Sequence, residues 1–314
     1  MGYLTDTGNT LSYPDSKPYI EGIKKDGVLQ FLNLYKKFKD LEAVSRLWGD
    51  ELEYHIINID PVTKKVRVKL VAEEIMQRIK DDAFEPQYEY GKWMIEAVPR
   101  NPYDVLCDPE PVLRNITTRR TIIQKSLDPN DYILSNSVFP LLGVGDYYLD
   151  GSKREAGAKS LVKETEKTES VSRADEEEKR EVSLDLESPA KKDSNLTASQ
   201  KRELNEVSNS MFIDDEIINA HPRFPTLTRN LRLRRGEPMC IKIPIFKDVN
   251  TSFKETEDEP FPGFIYMDAM AFGMGCGCLQ QTFAAKNVSI ARYLTDQLAV
   301  IAPLMVINSL VAVH

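Results

Sequence analysis

The stretch from Pro262 to Gln280, PGFIYMDAMAFGMGCGCLQ, constrains the fold of this 314-residue chain more than any other segment. It holds four glycines, three methionines and two cysteines around a short apolar run. Glycine weakens a regular strand and is favoured where the backbone bends sharply or passes close to another group. A core strand has no need of the glycines, and a surface loop has no need of the Met and Phe. We therefore interpret the segment as a turn between two strands whose backbone approaches a ligand closely.

The overall composition is typical of a soluble globular protein, with 41% hydrophobic and 29% charged residues. A formal net charge of -8 repels phosphate backbones, so we expect no nucleic-acid partner. The N-terminus lacks the basic and apolar parts of a secretory signal. The apolar run from Leu298 to Val313 is short and contains Pro303, which favours a buried helix over a membrane span. Four cysteines without disulfide-type spacing indicate a cytoplasmic protein.

The composition changes abruptly at residues 150–210, which contain no Phe, Tyr, Trp, Ile, Met, Cys or His. A segment so rich in Lys, Glu and Ser buries too little apolar surface to offset the entropy lost on ordering. We expect a disordered charged insert over 150–210. It would divide one domain into an N-terminal part, residues 1–149, and a continuation, residues 211–314.

Apolar periodicity and turn residues predict strand pairs mixed with helices. Helices are predicted over residues 17–39 (with a break at Gly27), 72–81, 109–124, 214–219 and 289–310. Strands are predicted over residues 51–59, 65–71, 88–98, 132–140, 239–246, 263–268 and 279–285. The turn residues Asp60-Pro-Val-Thr join the first two strands as a hairpin. The pattern predicts an α+β fold with a largely antiparallel sheet.

Glu51 and Glu53 are the first pair of candidate metal ligands. They are two residues apart in a predicted strand, so both carboxylates point to one face while Leu52 and Tyr54 point to the other. Two like charges side by side are destabilising unless a positive group lies between them. That group is either a lysine or arginine of a neighbouring strand, or a divalent cation held by oxygen ligands.

Glu89 and Glu96 are the second pair. Seven residues apart, they would lie on opposite faces of one flat strand, but a bend at Gly91 would re-aim Glu89. Glu96 lies among apolar residues, where a carboxylate needs a partner. Four acids on adjacent strands are typical of a hard-cation site, best suited to Mg²⁺ with nucleotide phosphates.

Two further features are open to more than one interpretation. Gln280 begins the strand after the glycines, where its amide either completes the metal shell or bonds to the backbone. The arginine-rich stretch 223–235, which ends in Arg234 and Arg235, is either a salt-bridging surface or an anion site for carboxylate or phosphate.

Five motifs, in chain order, resemble the eukaryotic glutamate–cysteine ligase catalytic subunit family. They are WGDELEY (48–54), EYGKWMIEAVP (89–99), DEIINAHPRFPTLTRNLRLRRGE (215–237), IPIFKD (243–248) and GFIYMDAMAFGMG (263–275). The resemblance implies a glutamine-synthetase-like fold, in which a curved, mainly antiparallel sheet with helices on the outside surrounds a funnel-shaped site.

The resemblance also implies an activity, which is the first step of glutathione biosynthesis. With ATP and Mg²⁺, the γ-carboxylate of L-glutamate is joined to the amine of L-cysteine through γ-glutamyl phosphate. Glutamate, cysteine and ATP are then the small-molecule partners, and a modifier subunit is a further one. The matching positions in the implied metal shell are Glu51, Glu53, Glu89, Glu96 and Gln280. The matching positions in the implied substrate-pocket wall are Met274 and Cys278.

Members of this family continue beyond the position of His314, so we expect a catalytic domain that is truncated at its C-terminal end, with an incomplete sheet. Two other functions fit the same residues. One is an inactive fragment, or a binding or regulatory protein that retains the N-terminal half of the ligase. The other is a metal-dependent hydrolase that uses the same acids with water as the nucleophile.

Overall fold

The computed structural model describes residues 10–43, 46–79, 84–104, 108–150, 206–251 and 261–311, with side chains of the last helix described as far as Leu304. The predicted insert lies outside the described residues over 151–205. The chain before and after residues 152–205 forms one compact unit. Both margins of the predicted insert belong to this unit, because Asp150 ends a strand and Ser208 is buried.

The described helices and strands follow one another in a mixed order. The α-helices are α1 (Tyr13–Phe38), α2 (Ala72–Arg78), α3 (Pro109–Lys125), α4 (Arg223–Arg235), α5 (Ala271–Met274) and α6 (Val288–Val311). The strands are β1 (Leu47–Ile59), β2 (Val66–Leu70), β3 (Phe84–Tyr88), β4 (Met94–Pro99), β5 (Tyr103–Asp104), β6 (Asp131–Leu134), β7 (Tyr148–Asp150), β8 (Ile241–Pro244), β9 (Phe264–Met267) and β10 (Leu279–Phe283). A single 3₁₀ turn, Asp215–Ile217, precedes α4.

The strand β1 organises the larger sheet. Along its 13 residues it pairs antiparallel with β10, β5, β4, β6 and β2. β3 joins β4 antiparallel, β7 joins β2 parallel, and β8 and β9 form a separate two-stranded sheet. The structure therefore confirms the α+β class with a curled, mostly antiparallel sheet.

Apolar side chains cover both faces of β1. Tyr54 on one face packs in a cluster with Ile123 of α3. Ile57 points to the other face, in a second cluster with Phe224 of α4. Because both faces are buried, the register of β1 is strongly specified, since a slip by one residue would exchange the two faces.

The helix α1 is continuous, so the predicted break at Gly27 is wrong. Ser12 caps its N-terminus by accepting the Asp15 N–H at 3.3 Å. A glycine in a helix interior costs only about 1 kcal/mol, which a 26-residue helix tolerates. Its first turn is tied to α4, where Asn230 Oδ1 accepts the Tyr13 N–H at 2.8 Å. From Glu21 to Phe38 every residue is exposed.

The single strand predicted over residues 88–98 is wrong. The chain instead makes a hairpin, with β3 ending at Tyr88 and β4 beginning at Met94. The connection turns at Gly91, where a Cβ atom would lie only 2.4 Å from the Trp93 ring. A side chain does not fit at that position, so the turn depends on glycine. The hairpin predicted between β1 and β2 is confirmed, with Ile57 opposite Val68.

The strands on either side of the glycine-rich segment do not pair with each other as the two arms of one turn. β9 pairs with β8 in the small sheet, whereas β10 pairs with β1 in the large one, and the short helix α5 lies between them. β6 and β8 are also shorter than predicted. The last helix, α6, contains Pro303 as expected. The prediction that this helix is buried is wrong for its described side chains, none of which is buried between Val288 and Leu304. Within the described residues, no helix combines the length and apolar character that crossing a membrane requires.

Candidate functional site

Strand pairing brings the predicted acids to one face of the sheet. Glu53 of β1 lies opposite Glu96 of β4, and Glu51 lies opposite Gln280 of β10. Directly opposite residues of antiparallel strands share a face, and Glu51 and Glu53 share it by alternation. Glu53 and Glu96 are both buried.

Glu89 reaches the same place from the β3–β4 turn. The carboxyl groups of Glu89 and Glu51 both hydrogen-bond to that of Glu96. Burial, together with the contacts of Glu96 with Glu89 and Glu51, raises the pKa of Glu96 to about 9. Burial also raises the pKa of Glu89, together with the nearby charge of Glu53. We call Glu51, Glu53, Glu89 and Glu96 the acidic cluster. At neutral pH it retains protons, because like charges this close do not all ionise.

The surroundings of the acidic cluster bear on the two partners left open by the sequence. Within the described part of the chain, no lysine or arginine forms an ion pair with Glu53, Glu89 or Glu96. Buried carboxylates without a cationic side chain are a donor set that fits a hard divalent cation. Glu89 and Glu51 contact Glu96, and the charge of Glu53 lies near Glu89. Over the same described residues, no group of three or more Asp, Glu, His or Cys side chains is arranged so that it could hold a metal ion.

Glu53 is held by the end of the glycine-rich segment. Its carboxylate accepts the Cys278 N–H at 3.0 Å, the Cys278 thiol at 3.2 Å and the Gln280 amide at 3.0 Å. Gln280 therefore adjoins the acidic cluster as a hydrogen-bond donor to Glu53. Rotation of its amide group by 180° would present the amide oxygen to the cluster instead. Burial and the contact with Glu53 raise the pKa of the Cys278 thiol to about 11. The thiol is thus protonated at neutral pH and is no nucleophile.

The glycines allow the backbone to approach other parts of the protein closely, and an approach to a ligand stays a prediction. A Cβ atom on Gly275 would lie 2.4 Å from the Ala271 carbonyl oxygen and 2.9 Å from the Trp93 ring. A Cβ atom on Gly277 would lie 2.7 Å from the Asn136 carbonyl oxygen. The segment Gly275–Cys278 therefore lies directly on the sheet.

The remaining predicted site residues are all exposed. Met274 and Cys278 lie on the accessible side of the glycine-rich segment, and Cys278 contacts Glu53. Arg234 and Arg235 end α4, where Arg235 pairs with Glu237 at 3.5 Å. A helix C-terminus carries partial negative charge, which disfavours anions there. The pocket and anion roles of these residues stay predictions.

His55 is a residue of this site that the sequence analysis missed. It follows Glu53 by two positions and therefore points to the same face. Its ring is wholly buried, and burial lowers its pKa to about 4. The strand alternation that predicted the glutamate pair could have identified His55 as well.

Asp50 and Arg119 form a buried ion pair that the sequence analysis also missed. Asp50 points to the opposite face of β1, where Arg119 of α3 bonds both to Asp50 and to the Ala97 carbonyl oxygen of β4. The two partners are 69 positions apart, so no local pattern could have revealed the pair.

Comparison with known proteins agrees with the motifs. A family model described as Glutamate-cysteine ligase matches residues 2–312. The human protein named Glutamate--cysteine ligase catalytic subunit is 36% identical over 326 residues, which cover 97% of this chain and 43% of the human protein. Proteins named Glutamate--cysteine ligase from Dictyostelium discoideum and Candida albicans are 32% and 31% identical, again over 97% of this chain, and 45% and 41% of their own lengths are covered.

The chain thus spans less than half the length of these three relatives. The match nevertheless runs over nearly all of its own residues, including the acidic cluster and the glycine-rich segment. The chain belongs to the glutamate–cysteine ligase family.

Proposed function

We propose that this chain carries the metal-binding acids of an ATP- and Mg²⁺-dependent ligase that joins the γ-carboxylate of L-glutamate to the amine of L-cysteine. The observation that supports this most is the acidic cluster itself. Four carboxyl groups from two strands and a turn meet on one face of the sheet, and no lysine or arginine in the described chain pairs with Glu53, Glu89 or Glu96. Family membership supplies the substrates.

In this proposal Glu51, Glu53, Glu89, Glu96 and Gln280 would hold the cation. Mg²⁺ held there would offset the negative charge of the ATP phosphates during phosphoryl transfer. Glu96 keeps its proton in the free chain at neutral pH and would have to release it for its carboxylate to hold the cation. Cys278 and Gln280 keep the Glu53 carboxylate aimed at the site through three hydrogen bonds.

The proposed reaction has two steps, a phosphoryl transfer and an acyl transfer. A γ-carboxylate oxygen of glutamate attacks the γ-phosphorus of ATP, ADP leaves, and γ-glutamyl phosphate forms. The cysteine amine then attacks the acyl carbon, and the dipeptide and inorganic phosphate are released. We place Met274 and Cys278 in the wall that borders the substrates. We place Arg234 and Arg235 at an anion site that would bind only weakly, because both are exposed at a helix C-terminus.

The wider assignments follow from the same family. We propose a glutamine-synthetase-like arrangement of the curled sheet, a modifier subunit as partner and a cytoplasmic location. The names of the human and rat relatives include the words catalytic subunit, which supports the existence of a second subunit.

Isotope-labelled glutamate, cysteine and ATP test the activity, since the pure chain should form labelled dipeptide in the presence of Mg²⁺. The alternative is a binding or regulatory protein that retains this part of the ligase. Binding of Mg²⁺ and ATP without any dipeptide supports that alternative. Phosphate release without an amine acceptor would identify a hydrolase instead.

The substitution Glu53→Gln tests the metal site. Loss of one carboxylate charge should weaken Mg²⁺ binding by at least about tenfold, measured by calorimetric titration. Glu85→Gln is the matched control, because Glu85 is an exposed residue of β3 and should leave the affinity unchanged. Equal Mg²⁺ affinity in the two variants would exclude Glu53 from the metal shell.

A further inference from the structure

Glu89 is the member of the acidic cluster that lies outside the strands. It belongs to the connection between β3 and β4, whereas Glu51 and Glu53 belong to β1 and Glu96 belongs to β4. Its carboxylate accepts the N–H of the next residue, Tyr90, at 3.2 Å. It also contacts the carboxyl group of Glu96. The place of this carboxylate therefore depends on what fixes the backbone at Glu89 and Tyr90.

The backbone of this connection is paired with the chain that precedes α4. Gly91 lies opposite Ile218 in an isolated antiparallel bridge. On one side of the bridge, the Asn219 N–H donates to the Tyr90 carbonyl oxygen at 2.8 Å. On the other side, the Lys92 N–H donates at 2.9 Å to the carbonyl oxygen of the residue before Ile218. Two hydrogen bonds thus hold the connection from outside the sheet.

The side chain of Tyr90 joins the same connection to α4 itself. It has 0% exposure, and its ring meets the Phe224 ring edge-on with the centroids 6.0 Å apart. Its hydroxyl oxygen lies 3.1 Å from Thr228 Oγ1, which is also buried. The Thr228 hydroxyl donates its single proton to the Phe224 carbonyl oxygen at 3.0 Å. Tyr90 is therefore the donor in its bond to Thr228.

The Tyr90 hydroxyl is not needed to fill the core at this place. A phenylalanine would keep the ring and its contact with Phe224, and a buried hydrogen bond contributes little net stability. The bond instead restricts geometry, because it weakens steeply when the distance or the angle between its partners changes. Tyr90 and Thr228 are 138 positions apart, so the bond ties the neighbour of Glu89 to a distant helix.

We propose that Tyr90 is a positioning residue for Glu89. Its hydrogen bond to Thr228 fixes the connection between β3 and β4 against α4. The Glu89 carboxylate, which accepts the Tyr90 N–H, is thereby held beside Glu96. Tyr90 is wholly buried and contacts neither cation nor substrate. The proposal rests on the proposed function in one respect, which is that Glu89 is taken as a ligand of Mg²⁺.

Three substitutions isolate the hydrogen bond, and a fourth is the control. Tyr90→Phe removes the hydroxyl and leaves the ring. Thr228→Val removes the partner on α4 and Thr228→Ser restores it, so this pair tests the bond independently of Tyr90. Tyr103→Phe is the matched control, because it removes a tyrosine hydroxyl that donates to Asn115 Oδ1 at 3.0 Å and joins β5 to α3.

The first readout needs no metal, and is hydrogen exchange at the Lys92 and Asn219 amides, measured by NMR. We expect both amides to exchange at least about fivefold faster in Tyr90→Phe and in Thr228→Val, because the connection opens locally more often. Thr228→Ser and Tyr103→Phe should exchange at the wild-type rate. The amides of β2 should keep their protection in all four variants.

The second readout is calorimetric titration with Mg²⁺. Tyr90→Phe should bind Mg²⁺ about tenfold more weakly, as for other groups that orient a metal ligand. The same substitution in a Glu89→Gln background should cause no further loss, since Tyr90 acts through Glu89. Thr228→Ser and Tyr103→Phe should bind as the wild-type chain does.

Several outcomes overturn the proposal. One is an unchanged exchange rate in both Tyr90→Phe and Thr228→Val, which would show that the bond does not hold the connection. Another is a Thr228→Ser variant that behaves like Thr228→Val. A third is an equal further loss of Mg²⁺ affinity when Tyr90→Phe is added to Glu89→Gln, which would show a general effect on the sheet. Failure of the wild-type chain to bind Mg²⁺ would refute the proposed metal site, while hydrogen exchange would still decide whether Tyr90 fixes the connection that carries Glu89.

Discussion

At the scale of single residues, Glu96 is the side chain that ties the acidic cluster together. It faces Glu53 across the β1–β4 pair and hydrogen-bonds with both Glu89 and Glu51. Only 4% of it is exposed, so its charge has little access to water. A carboxyl group in this setting is stable when protonated and costly when ionised, unless a cation joins it.

The stability of the metal-free chain should therefore fall as pH rises. Below pH 4.5, the ordinary pKa of a glutamate, Glu96 is protonated in both the folded and the unfolded chain. Between 4.5 and about 9 the unfolded chain releases this proton and the folded chain keeps it, so the free energy of unfolding decreases. One proton contributes at most about 1.4 kcal/mol per pH unit.

Urea unfolding at pH 5, 7 and 9 measures this slope. Glu96→Gln should flatten it, because the amide does not titrate. Mg²⁺ should also flatten it, since the cation favours the ionised carboxylates. A stability that rises over this range in the metal-free wild-type chain would contradict the arrangement described for Glu96.

Gly277 and Gly273 form a matched pair for testing the close approach of the glycine-rich segment. A Cβ atom on Gly277 would lie 2.7 Å from a backbone oxygen of Asn136, whereas one on Gly273 would meet nothing within 4 Å. We expect Gly277→Ala to lower the free energy of unfolding by about 1–3 kcal/mol, and Gly273→Ala to leave it unchanged or slightly raised. Similar melting curves for the two variants would show that the segment is not pressed on the sheet.

At the scale of elements, the position of the acids depends on how α3 holds two strands. Arg119 of α3 bonds to Asp50 of β1 and to the Ala97 carbonyl oxygen of β4, on the face opposite the acidic cluster. Both partners of this ion pair are about 1% exposed. The pair therefore fixes β1 against β4, which is the pairing that places Glu53 opposite Glu96.

Replacing Arg119 should be far more harmful than replacing another arginine of the same helix. Arg119→Met leaves Asp50 charged and buried, and we expect a loss of about 3–5 kcal/mol in the free energy of unfolding. Arg114→Met breaks an exposed pair with Glu110 and should change it by less than about 1 kcal/mol. Denaturant titration of both variants measures the difference, and equal losses would show that the buried pair does not hold the strands.

The sequence predicted those elements whose signals are local. The β1–β2 hairpin was predictable because Asp60-Pro is strong turn chemistry next to alternating apolar residues. The β3–β4 hairpin was not, because the turn at Gly91 lacks a typical turn pair and depends on Trp93, which packs in a core cluster with residues far away in the chain, such as Phe139 and Ala271. Likewise, alternation predicted that Glu51 and Glu53 share a face, but nothing local linked Asp50 to Arg119.

At the scale of the whole molecule, the chain on either side of residues 152–205 forms one unit, and its contacts reach to the edge of that stretch. Asp215 accepts the backbone N–H of Val207 and of Ser208. The buried Arg232 donates to the carbonyl oxygens of Glu206 and Val207. Residues 206–208 are therefore part of the fold, even though the composition alone assigned them to the insert.

Two deletions test this boundary. Replacing residues 152–205 by a Gly/Ser linker of about ten residues should leave the melting temperature unchanged within about 3 °C. Extending the deletion through 210 removes the partners of Asp215 and Arg232 and should lower the melting temperature clearly. The prediction is contradicted if the shorter deletion abolishes cooperative melting, or if both deletions melt alike.

The uncovered length of α1 has a consequence for the behaviour of the chain in solution. Ile23, Phe31 and Leu34 are each at least half exposed along a rod that touches the rest of the unit near its first turns. An exposed apolar helix of this kind associates with apolar surfaces of other molecules, including the same helix of a second copy of the chain, as the protein concentration rises. We therefore expect this helix, rather than the sheet that carries the acidic cluster, to govern the colloidal behaviour of the chain, its handling by chaperones and its yield on expression.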